Sequence, residues 1–190
     1  MTYAEIVKMA LAHLEYGTDE DSYGTFAERF TMYANDAVRI IASGLKIDRV
    51  ESVTLVDGKF DMGDLTEDTV TKIVEVFKDR RAYPFVRGDS LGEFRVLGCK
   101  DDEAVSVRYR YLPKQVTDGN ATPAIPKIFH PILYLYVVHC YHNTRSTSTD
   151  YDRTKWLREF ESERKRIMKQ AYGSLDTYAW KNKPWETGEM

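Results

Sequence analysis

Apolar positions along this chain keep helical spacing at both ends and alternate in the middle. The helical spacing is densest between residues 123 and 143, where Ile128, Ile132, Leu135 and Val138 or His139 recur at three- and four-residue steps. Phe129, Tyr136 and Val137 add apolar surface beside that stripe, so the segment predicts a helix that is greasy around most of its circumference. Pro123 and Pro126 hold an extended lead-in. Pro131 lacks an amide donor and is tolerated only in a first turn, which places the expected helix start close to Ile128. Such a helix belongs at the centre of a helical core.

The N-terminal region announces two more helices. Thr2 with Glu5, and Thr25 with Glu28, have the spacing of capping boxes, in which the Thr hydroxyl takes an amide three residues on and the Glu reaches back. The first helix carries Tyr3, Ile6, Val7, Ala10 and Leu14 and is expected to end near Tyr16 and Gly17. The second carries Phe26, Phe30, Tyr33, Ala34, Ala37, Val38 and Ile41 and is expected to stop at Gly44, the residue type that tolerates a left-handed cap. Residues 18–24 read as a short acidic link. Near the C-terminus, Asp150 reads as the cap of a fourth helix with Leu157, Phe160, Arg164, Ile167, Met168 and Ala171 on one side, ending at Tyr172 and Gly173.

Between residues 51 and 112 the period changes to two. Asp57-Gly58 is a preferred hairpin turn, and pairing outward from it sets Leu55 opposite Phe60 and Val53 opposite Met62. All four apolar side chains then share one face. Residues 70–77 read as a strand buried on both sides, residues 94–96 as a strand, and residues 100–103 as a turn. Val105, Val107, Tyr109 and Tyr111 alternate with Ser106, Arg108 and Arg110, as in a strand with one wet face. Pro113 and a polar loop close this region.

The predicted fold is therefore α+β, a four-helix core with an inserted antiparallel β-sheet subdomain and an extended C-terminal arm. Its expected divisions are 1–48 with 123–173 for the helical core, 49–122 for the insertion and 174–190 for the arm. The arm has no helical stripe yet contains Tyr178, Trp180 and Trp185, and disordered tails seldom carry two tryptophans. It is expected to dock on a partner. A chain of 190 residues can bury a core without metal or disulfide staples. Cys99 and Cys140 sit in different contexts and read as two reduced thiols. The N-terminus shows no signal region and the longest apolar run, 132–138, is too short to cross a bilayer, so a soluble, unexported product with no membrane partner is expected. A formal charge of −3 argues against a general nucleic-acid binder.

His139, Cys140 and His142 invite a metal reading because two histidines three apart share a helix face. No HExxH pattern, second cysteine pair or acidic partner lies at ligand spacing, so histidines packed or hydrogen-bonded along the helix are the favoured reading and no cofactor is expected. GxSxG, GxxxxGK[ST] and GxGxxG motifs do not occur. Arg87-Gly88-Asp89 reads as a turn. Basic residues cluster at Lys78, Arg80 and Arg81 and at Arg164, Lys165 and Arg166. Flanking Glu159, Glu161 and Glu163 account for the second cluster as ion pairs on a solvated helix face. The first reads equally as a solvated loop or an edge contact to a neighbouring subunit.

Asp36 and Ala37, Asp64 and Leu65, residues 105–113, residues 125–133 and Phe160 occur in an order of elements that resembles the head-tail adaptor (connector) proteins of tailed bacteriophages. The resemblance covers the chain to about Gly173 and is architectural. It implies a structural virion protein of the neck, assembled in the host cytoplasm and not an enzyme. Such a protein forms a ring, commonly of twelve subunits, beneath the portal protein; the ring extends the DNA channel and receives tail or neck proteins. A C-terminal arm reaching the portal is common in such proteins, and Tyr178, Trp180 and Trp185 suit that role. The alternatives are another neck or tail-completion protein, or a metal-dependent nucleic-acid-processing enzyme using His139 and His142.

Overall fold

The structure is a computed structural model that describes residues 1–65 and 69–172. The fold is α+β, with helices α1 (Tyr3–His13), α2 (Glu20–Leu45), α3 (Leu133–Thr144) and α4 (Asp150–Tyr172). Between α2 and α3 lie strands β1 (Asp48–Thr54), β2 (Lys59–Asp61), β3 (Thr69–Lys78), β4 (Arg81–Tyr83), β5 (Phe85–Arg87), β6 (Glu93–Val96) and β7 (Ala104–Leu112). The chain gathers into two compact units, Met1–Val38 with Val116–Met190, and Arg39–Gln115.

In the first unit, the capping box expected at Thr2 and Glu5 forms. The Thr2 hydroxyl accepts from the Glu5 amide and the Glu5 carboxylate accepts from the Thr2 amide. The next two orphan amides of α1, on Tyr3 and Ala4, donate to the carbonyls of Ala121 and Gly119 at 3.0 and 2.8 Å. That loop is held in turn by Asn35 of α2, whose amide group donates to the Val116 carbonyl at 2.7 Å and accepts from the Val116 amide at 3.0 Å. Helix α3 packs against both α1 and α4, and Phe26 and Phe30 of α2 meet its Tyr141 ring edge-on. It is the pillar that the apolar pattern predicts, with no exposed residue from Leu133 to His142.

Four helix boundaries differ from expectation. The capping box at Thr25 does not form, because α2 begins at Glu20 and continues through Gly24. Asp19 takes the capping role, accepting from the Ser22 amide at 2.8 Å, and the Thr25 hydroxyl turns back to the Asp21 carbonyl at 3.0 Å. At the other end α2 passes through Gly44, and Lys46 adopts the left-handed conformation with φ 53°. The pillar does not start as an α-helix at Ile128. Residues Lys127–Ile132, with Pro131 inside, form a 3₁₀ segment and α geometry begins at Leu133. The cap of α4 is Thr149, one residue before the expected Asp150; it exchanges bonds with Asp152 in the geometry of a capping box.

In the second unit, one sheet has the order β1-β7-β3-β4 and the other β2-β6-β5, all antiparallel. Their inward faces share a core built on Val53, Leu55, Phe60, Val76, Val107 and Tyr109. The Asp57-Gly58 turn forms with both φ positive, 52° and 70°, and Val56 and Lys59 exchange backbone bonds across it. The pairing expected beyond the turn does not. Val53 lies opposite Val105 in one sheet and Phe60 opposite Phe94 in the other, so the two arms of the hairpin part after a single bridge. Leu55, Val53 and Phe60 nevertheless enter one core, which they reach from opposite sheets. Strand β3 is buried on one face only: register shifts after Val70 and Ile73 turn both Ile73 and Val76 inward across a three-residue step, as β-bulges do.

Candidate functional site

The pillar carries His139, Cys140 and His142, and both histidines are hydrogen-bonded within the first unit. The His139 Nδ1–H donates to the Arg153 carbonyl of α4 at 2.7 Å, which fixes the tautomer of that ring. His142 Nδ1 meets the Ser148 hydroxyl at 3.1 Å, and burial pulls its pKa below the usual histidine range. Burial pushes the Cys140 thiol up to about 11, so it is protonated and unreactive at neutral pH. His130 Nε2–H donates to the Ile125 carbonyl at 3.0 Å and ties down the lead-in to the pillar. Among the described residues no three of His, Cys, Asp or Glu are grouped to hold a metal ion.

A polar network joins elements far apart in sequence. Tyr16 and Tyr141 share a hydrogen bond through their hydroxyls, and Arg145 donates to both, reaching Tyr16 at 2.9 Å. The bond to Tyr141, then the one to Arg145, lowers the Tyr16 pKa, while burial raises that of Tyr141. The two tyrosines are separated by 125 positions, so no local pattern announces this contact. Nearby, the His13 ring meets the edge of Trp156 at 4.4 Å and lies 5.4 Å from Tyr134.

The charged clusters are largely internally neutralised. Arg164 pairs with Glu161 and Arg166 with Glu163, each at 2.7 Å, as the three-residue spacing predicts. Lys78 pairs with Glu103 at 2.6 Å. Arg80 and Arg81 are exposed and belong to a structure the periodicity did not announce: β3 turns into β4 through Asp79 and Arg80, both at positive φ. The signal was present in Val76 and Tyr83, apolar residues equidistant from a two-residue turn, but β4 is only three residues long. Strand β5 was likewise missed. Its last residue, Arg87, opens the expected turn, in which the Gly88 amide donates to the Glu93 carbonyl at 2.8 Å. A β-carbon on Gly88 would lie 2.1 Å from the Glu93 carboxylate.

Exposed apolar side chains in the second unit are Val50, Val56, Val86, Leu91 and Leu97. A groove of about 450 Å³ beside the 87–94 turn is lined by Asp61, Arg87, Leu91, Glu93 and Phe94, among others. In the first unit Met32, Ile128 and Tyr151 are exposed. Tyr178, Trp180 and Trp185, the expected docking residues, lie outside the described residues. Among those described, no helix is long and apolar enough to cross a membrane.

The family model described as SU10 adaptor protein matches residues 1–180. Among solved structures, a chain of the "Neck of empty GTA particle computed with C6 symmetry" is similar at 12% identity over 81% of this chain and 87% of that one, with a TM-score of 0.30. No curated protein matches.

Proposed function

The chain belongs to the SU10 adaptor protein family and is a head-tail adaptor; from that premise we propose that it is a structural protein of the bacteriophage neck whose copies form a ring between portal and tail through which genomic DNA passes. The observation that carries this reading is the family match, which spans the helices and the sheets alike. The charge distribution supports it. A channel through which DNA slides should not grip phosphates, since each Lys or Arg contact adds counterion-release affinity. Here the helical basic cluster is paired with its own glutamates. A closed ring needs heterologous contacts that use two different faces of each subunit, and a helical core carrying an inserted β subdomain supplies two unlike faces.

In this reading the protein is not an enzyme. It acts in the virion after assembly in the host cytoplasm, its partners are the portal, tail or neck proteins and further copies of itself, and DNA passes without sequence-specific contact. The arm, residues 174–190, docks on the portal through Tyr178, Trp180 and Trp185. The test is native mass measurement of the protein alone and mixed with its portal. The expected result is a defined multimer on the portal ring; a strictly one-to-one complex, or no complex, overturns the ring. Removing residues 174–190 should leave a subunit with an unchanged far-ultraviolet circular dichroism spectrum that no longer binds portal. Unchanged portal binding by the truncated chain refutes the role of the arm.

A further inference from the structure

The four-stranded sheet has two edges whose chemistry is complementary, and among the described residues neither pairs with a further strand. Strand β1 is one edge and β4 the other. An antiparallel sheet with an even number of strands has edge strands running in opposite directions. Copies set side by side around a ring would therefore bring β4 of one against β1 of the next in antiparallel orientation, continuing the alternation.

Register decides which residues would meet. Ser52 lies opposite Ser106, Ser106 opposite Phe77, and Phe77 opposite Ala82, so Ser52 and Ala82 occupy one row at the two ends of the sheet. Both also have backbone groups facing outward. The Leu55 amide donates to the Glu103 carbonyl just before β7, and the Ile47 carbonyl accepts from the Tyr111 amide. The alternation of an antiparallel ladder then turns the amide and carbonyl of Val50 and Ser52 away from β7. At the other edge, Lys78 and Arg81 flank the two-residue turn and form its hydrogen-bonded pair, which leaves the amide and carbonyl of Ala82 facing out. Ser52, Val50, Arg81 and Ala82 are all exposed.

Charge follows the same polarity. At the turn end of β4 stand the exposed Arg80 and Arg81, and at the corresponding end of β1 stand the exposed Asp57, Asp101 and Asp102. The Asp102 amide is bonded to the Leu55 carbonyl, which holds this acidic group at the end of β1. Sliding one sheet edge onto the other without vertical offset sets Arg81 in the row of Val53 and Arg80 in that of Thr54, at the end of β1 nearest the aspartates. Natural sheets guard a long exposed edge with proline, a bulge or an inward charge. Residues 48–54 contain no proline and pair with β7 without a register shift.

We propose that β4 of each subunit adds to the β1 edge of its neighbour, Ala82 against Ser52, with Arg80 and Arg81 facing the neighbour's Asp57, Asp101 and Asp102. The partner is a second copy of this chain. The inference rests on the ring reading and names the surface that closes it.

The test uses full-length protein carrying Ser52→Cys and Ala82→Cys together, oxidised in assembled particles and run without reductant. The expected result is a ladder of multimers of this chain, which neither single variant produces. Dimers formed by one single variant alone would mean a two-fold contact and overturn the proposal, as would a cross-link to a different protein or to the arm. A complementary pair of variants gives a second readout. Arg80→Glu with Arg81→Glu should weaken ring assembly at least tenfold, and adding Asp101→Arg with Asp102→Arg should restore it. Wild-type rings that form while the double-cysteine variant yields no ladder refute the edge contact and leave the ring standing. No ring from the wild-type protein on its portal refutes both.

Discussion

Gly24 lies inside α2 with nothing within 4 Å of the position a β-carbon would take. A helical glycine costs about 0.5–1 kcal/mol relative to alanine, through the backbone freedom it surrenders on folding. Gly24→Ala should raise stability by about that amount, read as an upward shift of the thermal midpoint of roughly 1–4 °C for a chain of this size. A drop would mean that the chain is not helical at that position. His142 gives a pH-dependent counterpart. Its folded pKa is depressed by burial, so in the window below the ordinary histidine value of about 6.5 the unfolded chain binds the proton more readily than the folded one. The stability associated with the neutral ring is intact above that value and is lost as pH falls through it. Chemical denaturation at pH 7.5 and pH 5.5 should show a smaller difference for His142→Gln than for the wild type. An equal difference would assign the acid sensitivity elsewhere.

At the scale of elements, the loop from Pro113 to Thr122 links the end of the sheet to the start of the pillar, and Asn35 is its clamp. Asn35→Ala removes both side-chain partners of Val116 and leaves two backbone groups to find water, at a cost of about 1–3 kcal/mol each where burial denies it. The expected loss is about 2 kcal/mol in urea unfolding. Asn35→Asp keeps the acceptor for the Val116 amide but sets a buried carboxylate oxygen against the Thr31 and Val116 carbonyls, so it should lose at least as much; a smaller loss would show that the acceptor alone makes the clamp. Local interactions of this kind explain what was legible in the sequence. The helices followed from apolar spacing, and the Thr2 capping box and the Asp57-Gly58 turn were readable because every participant lies within a few residues. What failed was non-local or permissive. The turn at Asp57-Gly58 cannot state that Val53 will pair with Val105 and Phe60 with Phe94, because those partners are set by the packing of two sheets. Gly24 and Gly44 look like breaks, but a glycine only tolerates a helix end and does not impose one. The three-residue strands β4 and β5 offered too few positions for a period to show. The pillar histidines were readable as candidates from their spacing, whereas their hydrogen-bond partners on the following loop and α4 were not.

For the molecule as a whole, the proposed passage of DNA turns on how weakly the surface holds phosphate. The formal charge is −3, yet the chain carries 27 Lys and Arg residues, enough to bind phosphate strongly if they stood unpaired on one face. Many do not stand unpaired. Arg164 and Arg166 are matched on α4, Lys78 at the sheet end, Lys59 by Glu93 at 3.0 Å, and Arg108 and Arg110 by Glu75 and Asp48 at 3.1 Å each. Exposed pairs of this type contribute little to folding, about 0–1 kcal/mol, so their value here lies in masking charge. The prediction is specific to α4. Glu161→Gln with Glu163→Gln should leave the fold and thermal midpoint nearly unchanged while freeing two arginines. Each freed phosphate contact adds about 0.9 to the slope of log K against log salt. Non-specific duplex binding, measured by fluorescence anisotropy across a salt series, should therefore rise at low salt with a slope steeper by up to about 2. Wild-type protein that already binds duplex tightly, with a steep slope, would show that the paired glutamates do not mask α4 and would remove the electrostatic argument for a channel through which DNA slides.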